Sequence, residues 1–170
     1  MFQAIVLVIT AALVGLDQLT KYLTVANLKG ADPLVLIDGV FEFTYLENRG
    51  AAFGMMQGAR WWFVVFTSLV MVALLAVLLF GRYRRYQLFN VGLTLIIGGG
   101  IGNLIDRVAN GFVVDMLHFE IAAIGFDFPV FNVADCYVVI GAILTLFFFF
   151  FIYDDKNDRK PVEVADDHHA

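Results

Sequence analysis

The sequence predicts an all-α integral membrane protein in which four transmembrane helices carry a small extracytoplasmic β-hairpin or sheet platform. Three observations predict it. The 170 residues are 61% hydrophobic and 16% charged with mean hydropathy +0.81, whereas a soluble domain is roughly half apolar and about a quarter charged. Four apolar segments come close to the roughly 20 residues that cross about 30 Å of hydrocarbon. Between the first two of them an Asp-Gly pair is flanked by strand-forming residues, a hairpin signature.

The spans are expected at about residues 2–24, 61–80, 88–105 and 134–153, in one membrane-embedded unit running to residue 153. The first has no preceding Lys or Arg and no evident small-residue cleavage site, so it is read as a retained helix and not a signal peptide. Orientation follows from basic residues, which concentrate in cytoplasmic loops. Arg82, Arg84 and Arg85 lie between spans two and three, and Lys156, Arg159 and Lys160 follow span four. Both termini are therefore expected in the cytoplasm, with the longer connections, about 25–60 and 106–133, outside. Trp61 and Trp62 would then sit at the outer interface. In the first connection Leu34–Ile37 and Val40–Tyr45 read as two strands around a two-residue Asp38-Gly39 turn, with Phe41, Phe43 and Tyr45 on one apolar face. The Phe147–Phe151 run reads as lipid-facing helix. The tail, 154–170, holds six acids and three bases, carries much of the net charge of -5, and is expected to be disordered.

Several function classes are excluded or weakened. No basic stripe or nucleic-acid motif is present, so no nucleic-acid partner is expected. The single cysteine, Cys136, forms no internal disulfide and no thiolate cluster, and no metal or other cofactor is implied. There is no Gly-x-Ser-x-Gly elbow, P-loop or His-Glu-x-x-His. His118 is read as packed or interfacial, and His168 and His169 as inert.

The informative residues are those that are costly at membrane depth and hence usually paired, buried or functional. They are Asp17, Lys21, Asp106, Arg107, Asp115 and Asp135, with the amides Asn48, Asn103 and Asn132, all near the expected outer ends of the spans. Asp17 and Lys21 are four apart on one helical face, in the order that favours an ion pair; the plain reading is a structural pair closing the bundle. Gly98 and Gly102 have small-xxx-small spacing, which lets helices approach, and Asn103 and Arg107 are again four apart. That arginine could brace the bundle or hold a carbonyl or phosphate group. Two carboxylates within hydrogen-bond reach share a proton, so that one serves as base and the other as acid. Asp115 and Asp135 could form such a pair, but Asn132 and Asp135 also suit a helix cap. Spacing alone leaves open whether the aspartates meet.

The constellation resembles the lipoprotein signal peptidase, or signal peptidase II, family. The resemblance rests on five stretches in order along the chain: Asp17-Gln18-Leu19-Thr20-Lys21; Glu47-Asn48-Arg49-Gly50-Ala51-Ala52-Phe53-Gly54; Gly99-Gly100-Ile101-Gly102-Asn103-Leu104-Ile105-Asp106-Arg107; Val113-Val114-Asp115; and Phe131-Asn132-Val133-Ala134-Asp135. It implies an aspartyl endopeptidase of the bacterial inner membrane, working near the outer face as a monomer, with Asp115 and Asp135 as its catalytic pair. Asn48, Asn103, Arg107 and Asn132 would then support substrate and pair geometry, Asp17, Lys21 and Asp106 would stabilise the site, and Gly54 would belong to it. The implied substrate is a diacylglyceryl-modified prolipoprotein cut just before its lipidated cysteine, and membrane lipid is the other partner. Two rivals come from other classes. A small transporter or proton-coupled channel would use the same charges as a relay through the membrane depth, and a structural membrane subunit would use them as polar glue.

Overall fold

The computed structural model describes residues 2–50 and 60–153; Gly54 and the tail after 153 lie outside them. Four apolar helices, α1 (Phe2–Leu28), α2 (Arg60–Phe80), α3 (Gln87–Ala109) and α4 (Val133–Phe151), are each long enough to cross a bilayer. Their outward faces carry Leu7, Val8, Val72 and Phe150 at 59–76% exposure. A surface so apolar is suited to hydrocarbon, not water. Two helices run past their expected ends, α1 by four residues and α3 by another four, so Asp106 and Arg107 lie in the last turn of α3 and not in a connection.

α3 is the hub, packed against the other three helices. Its glycines make the approach possible. A Cβ on Gly98 would meet Leu13 of α1 at 3.0 Å, one on Gly99 would collide with the Ala134 carbonyl of α4, and one on Gly102 would lie 2.5 Å from Asp17 Oδ2. The two ends of the bundle differ. At the end holding the start of α1, Val6, Leu78, Phe89, Leu93, Ile97 and Phe148 form the buried apolar core. The opposite end gathers the buried charged residues Asp17, Lys21, Asp106 and Asp115. Phe148 corrects the reading of 147–151 as wholly lipid-facing: it is fully buried while Phe150 is 76% exposed, because the helical rotation of about 100° per residue turns one of five neighbours inward.

The platform is a four-stranded antiparallel sheet, β1 (Leu34–Ile37), β2 (Phe41–Asn48), β3 (Val113–Ile121) and β4 (Phe126–Phe131), in that order. The all-α label and the simple hairpin are therefore too narrow, since the second connection supplies half the sheet. Its strands were hidden for identifiable reasons. β3 is buried at its first four residues, Val113–Met116, so it shows no alternation there, and β4 contains Pro129, which is tolerated because β4 is an edge strand. The first turn also differs from the two-residue expectation. Ile37 pairs with Phe41, Val40 N–H donates to Ile37 O at 3.0 Å, and Gly39 has φ +67°, giving a three-residue loop with a left-handed glycine.

Candidate active site

The polar end of the bundle is assembled from all four helices and the sheet. Asp115 sits on the buried part of β3, opposite Leu46 of β2. Its Oδ2 accepts from Asn48 Nδ2 at 2.9 Å and its Oδ1 from Asn132 Nδ2 at 2.6 Å. Asn48 is itself oriented: its Oδ1 accepts the Gly50 N–H at 3.1 Å, which turns the amino group toward Asp115. Asp135 lies in the first turn of α4. Its Oδ1 accepts from Asn103 Nδ2 at 2.7 Å and its Oδ2 from the Asn132 backbone N–H at 3.1 Å.

Asn132 thus touches both carboxylates. Its Oδ1 caps α4 by accepting the Asp135 N–H at 3.0 Å, completing a capping box, while the other end of the same amide reaches Asp115. The cap on α4 and the contact with Asp115 are compatible, because an amide has an acceptor for one task and a donor for the other. Burial pushes the Asp115 carboxyl up to about 6 from its ordinary 3.8; the nearby Asp135 carboxylate adds to that effect, and the Asn48 and Asn132 donors oppose it.

Beneath the pair lies a second layer. Lys21 Nζ is 2.9 Å from Asp17 Oδ2, 3.1 Å from Asp106 Oδ2 and 2.9 Å from Asn103 Oδ1. An ammonium only donates, so the Asn103 oxygen must face it and the Asn103 amino group must face Asp135. The expected Asp17–Lys21 pair therefore exists, and it joins α1 to α3. Arg107 projects its guanidinium over the Phe63 ring at 5.1 Å and makes long bonds to Gly50 O (3.4 Å) and Asn103 O (3.5 Å). Bonds of that length yield readily to a better acceptor.

Two further residues escaped the sequence reading. Gln18 Nε2 lies within 3.2 Å of Asp17 Oδ2, Gly102 O and Asp106 Oδ1. Arg60, at the start of α2, caps the C-terminal end of α3 through Arg107 O (2.7 Å) and Val108 O (2.6 Å). Each left a signal. Gln18 is an amide inside an apolar helix, and Arg60 is a cation at its own helix N-terminus, where the dipole disfavours it. His118 is paired outside the site, its ring nitrogens 2.9 Å from Glu42 Oε1 and 2.8 Å from Asp127 Oδ1. No group of His, Cys, Asp and Glu suited to a metal ion occurs among the described residues. Beside the site a groove of about 330 Å³, lined by Thr20, Leu23, Leu34, Phe43 and Met116, separates the end of α1 from the sheet.

Known proteins resemble this chain in sequence and fold. The family profile described as signal peptidase (SPase) II matches residues 9–151. A lipoprotein signal peptidase of Streptococcus thermophilus is 45% identical over 135 residues, 79% of this chain and 85% of that protein. One from Enterococcus faecalis is 41% identical over 152 residues, covering 89% and 90%. A solved structure of a bacterial membrane enzyme superposes with TM-score 0.77 at 32% identity, covering 96% of both chains. With a profile spanning most of the sequence and relatives of this likeness, the chain belongs to the signal peptidase II family.

Proposed function

We propose that this protein removes the signal peptide from diacylglyceryl-modified prolipoproteins, cutting just before the lipidated cysteine, with Asp115 and Asp135 as the pair that activates water. As a member of its family it is a multi-pass bacterial membrane peptidase. The observation that carries the aspartyl mechanism is the double role of Asn132, which holds Asp115 by its side chain and Asp135 by its backbone. In the proposed reaction the ionised carboxylate takes a proton from water as the oxygen attacks the scissile carbonyl carbon. The protonated partner donates to the developing oxyanion. Collapse of the tetrahedral intermediate breaks the C–N bond, and the proton taken from water passes to the leaving amine. Arg107, weakly engaged by Gly50 and Asn103, is suited to a substrate carbonyl.

The proposed orientation has both termini in the cytoplasm and the site near the outer face, supported by the arginines of the α2–α3 connection and the lysines and arginine of the tail. In this orientation the groove between α1 and the sheet opens toward the outer leaflet, and its apolar lining suits a hydrocarbon chain. The protein acts as a monomer. A transport relay would string its charges through the bundle; here Asp17, Lys21, Asp106, Asp115 and Asp135 gather in two linked layers at one end. The test is cleavage of a synthetic diacylglyceryl prolipoprotein peptide by the purified chain in detergent. Cleavage before the lipidated cysteine, abolished in folded Asp115→Asn and Asp135→Asn, is the expected result. Cleavage by either variant at the wild-type rate removes the aspartyl mechanism, and no cleavage by folded wild type removes the function.

A further inference from the structure

The second layer has a symmetry that the proposed chemistry leaves unexplained. Asp17 Oδ1 accepts the backbone N–H of Ala134 at 3.0 Å, and Ala134 immediately precedes Asp135. Asp106 Oδ2 accepts the backbone N–H of Val114 at 3.0 Å, and Val114 immediately precedes Asp115. Each buried carboxylate of the lower layer therefore grips the main chain one residue before an aspartate of the upper pair. The separation of Asp17 from Asp106 is transmitted to the backbone on which Asp115 and Asp135 stand.

Two groups tie Asp17 to Asp106. One is the Lys21 ammonium. The other is the Gln18 amide, whose Nε2 donates to Asp17 Oδ2 at 3.2 Å and to Asp106 Oδ1 at 3.1 Å and also meets the Gly102 carbonyl at 3.2 Å. Among the described residues Gln18 is the donor to Asp106 Oδ1, while Lys21 and Val114 serve Oδ2. Three acceptors around one terminal atom also settle that this atom is the nitrogen. Lys21 supplies one positive charge for two carboxylates, so a second donor is needed to keep the acids together.

We propose that Gln18 is a positioning residue for the peptidase reaction: by yoking Asp17 to Asp106 it fixes the spacing of the backbone segments that carry Asp115 and Asp135. It touches neither the substrate nor the reacting atoms. The inference rests on the aspartyl-pair reading above and adds to it a residue outside that pair and its amide partners. A side chain acting in this way affects the turnover step and leaves substrate capture alone. A displacement of a catalytic group by about 1 Å costs on the order of 100-fold in rate, so loss of one of two yokes is expected to lower kcat by about 10- to 100-fold.

The experiment compares the purified full-length wild type with Gln18→Leu and Gln18→Glu, using the lipid-modified peptide and recording kcat, KM and the thermal transition, with Asp115→Asn as the inactive reference. Gln18→Leu keeps the volume and removes the donor; Gln18→Glu keeps the shape and carries a donor hydrogen only when protonated. Expected are a kcat for Gln18→Leu lowered about 10- to 100-fold with KM within about twofold, and a Gln18→Glu activity, relative to wild type at each pH, that climbs as pH falls from 8 to 5.5. A kcat for Gln18→Leu within twofold of wild type overturns the proposal. So does a rise in KM at constant kcat, which marks a substrate contact. A Gln18→Glu ratio flat in pH, with activity following only the loss of thermal stability, marks a merely structural amide and also overturns it. An inactive wild type, or an active Asp115→Asn, removes the underlying reading and this one with it; an active wild type with an unaffected Gln18→Leu removes this one alone.

Discussion

Replacing Asn132 separates two functions that one side chain performs. The amide caps α4 through Oδ1 and donates to Asp115 through Nδ2 at 2.6 Å, and the residue is fully buried. Alanine removes both. Loss of an N-cap costs about 1 kcal/mol of stability. Leaving a buried acceptor without its donor costs about 1–3 kcal/mol. If that second amount falls on the transition state, at about 1.4 kcal/mol per tenfold in rate, kcat/KM declines by roughly 5- to 150-fold. Serine retains a capping oxygen and is too short to replace the donor to Asp115. Both Asn132→Ala and Asn132→Ser should therefore lose activity to a similar degree, and only the alanine variant should lose the capping increment in denaturation. Peptide cleavage and chemical or thermal unfolding of the two variants in one detergent decide the matter. An Asn132→Ser protein within twofold of wild-type activity refutes the assignment of the donor, and equal stability of the two variants refutes the cap.

Three further outcomes follow from the geometry. Asp115 has its native pKa raised to about 6 from 3.8, so between those values the native state binds more protons than the unfolded chain and stability falls as pH rises, by on the order of 3 kcal/mol; Asp115→Asn should flatten this slope in melts from pH 4 to 7, and an unchanged slope refutes it. His118 is held above its usual range by its bonds to Asp127 and Glu42, so the stability it confers is full below about pH 6.5 and lost as pH rises through the raised value. The melting difference between wild type and His118→Gln should thus shrink from pH 6 to pH 9, and a constant difference contradicts the charged bridge. Lys21→Met strands Asp17 and Asp106 in a buried site, which costs about 3–5 kcal/mol; adding Asp17→Asn should recover part of the loss, and a Lys21→Met protein that melts like wild type contradicts the junction.

The spans were legible because lipid demands long apolar helices, and the polar residues because ionisable groups are expensive there. Their partnerships were legible only in part. Periodicity put Asp17 beside Lys21, but no spacing within α1 could show that Asp106, 85 residues beyond Lys21, would become the third member of the junction. Asn132 was visible as a cap, since capping is local; its contact with Asp115 depends on how β3 packs. β3 and β4 were missed because the cues for strands are alternation and the absence of proline, and a buried strand lacks the first while an edge strand tolerates breaking the second. Gln18 stands between Asp17 and Lys21 in the sequence, and an amide there announces a need for partners without naming them.

The Asp17–Lys21 pair has a consequence for biosynthesis. Because both charges belong to α1 and lie 2.9 Å apart, the first helix can enter the bilayer as an electrically neutral unit before any other span exists. A lone aspartate or lysine at the centre of an inserting helix costs about 2.5–3.5 kcal/mol on insertion scales, and an internal pair spares the nascent chain much of that. Asp106 arrives later, on α3, to a helix already holding the ammonium that receives it. Asp135 opens the last helix to be made, so a chain arrested before its fourth span lacks one of the two proposed catalytic carboxylates. The proposed pair is therefore completed only when the fourth helix is made.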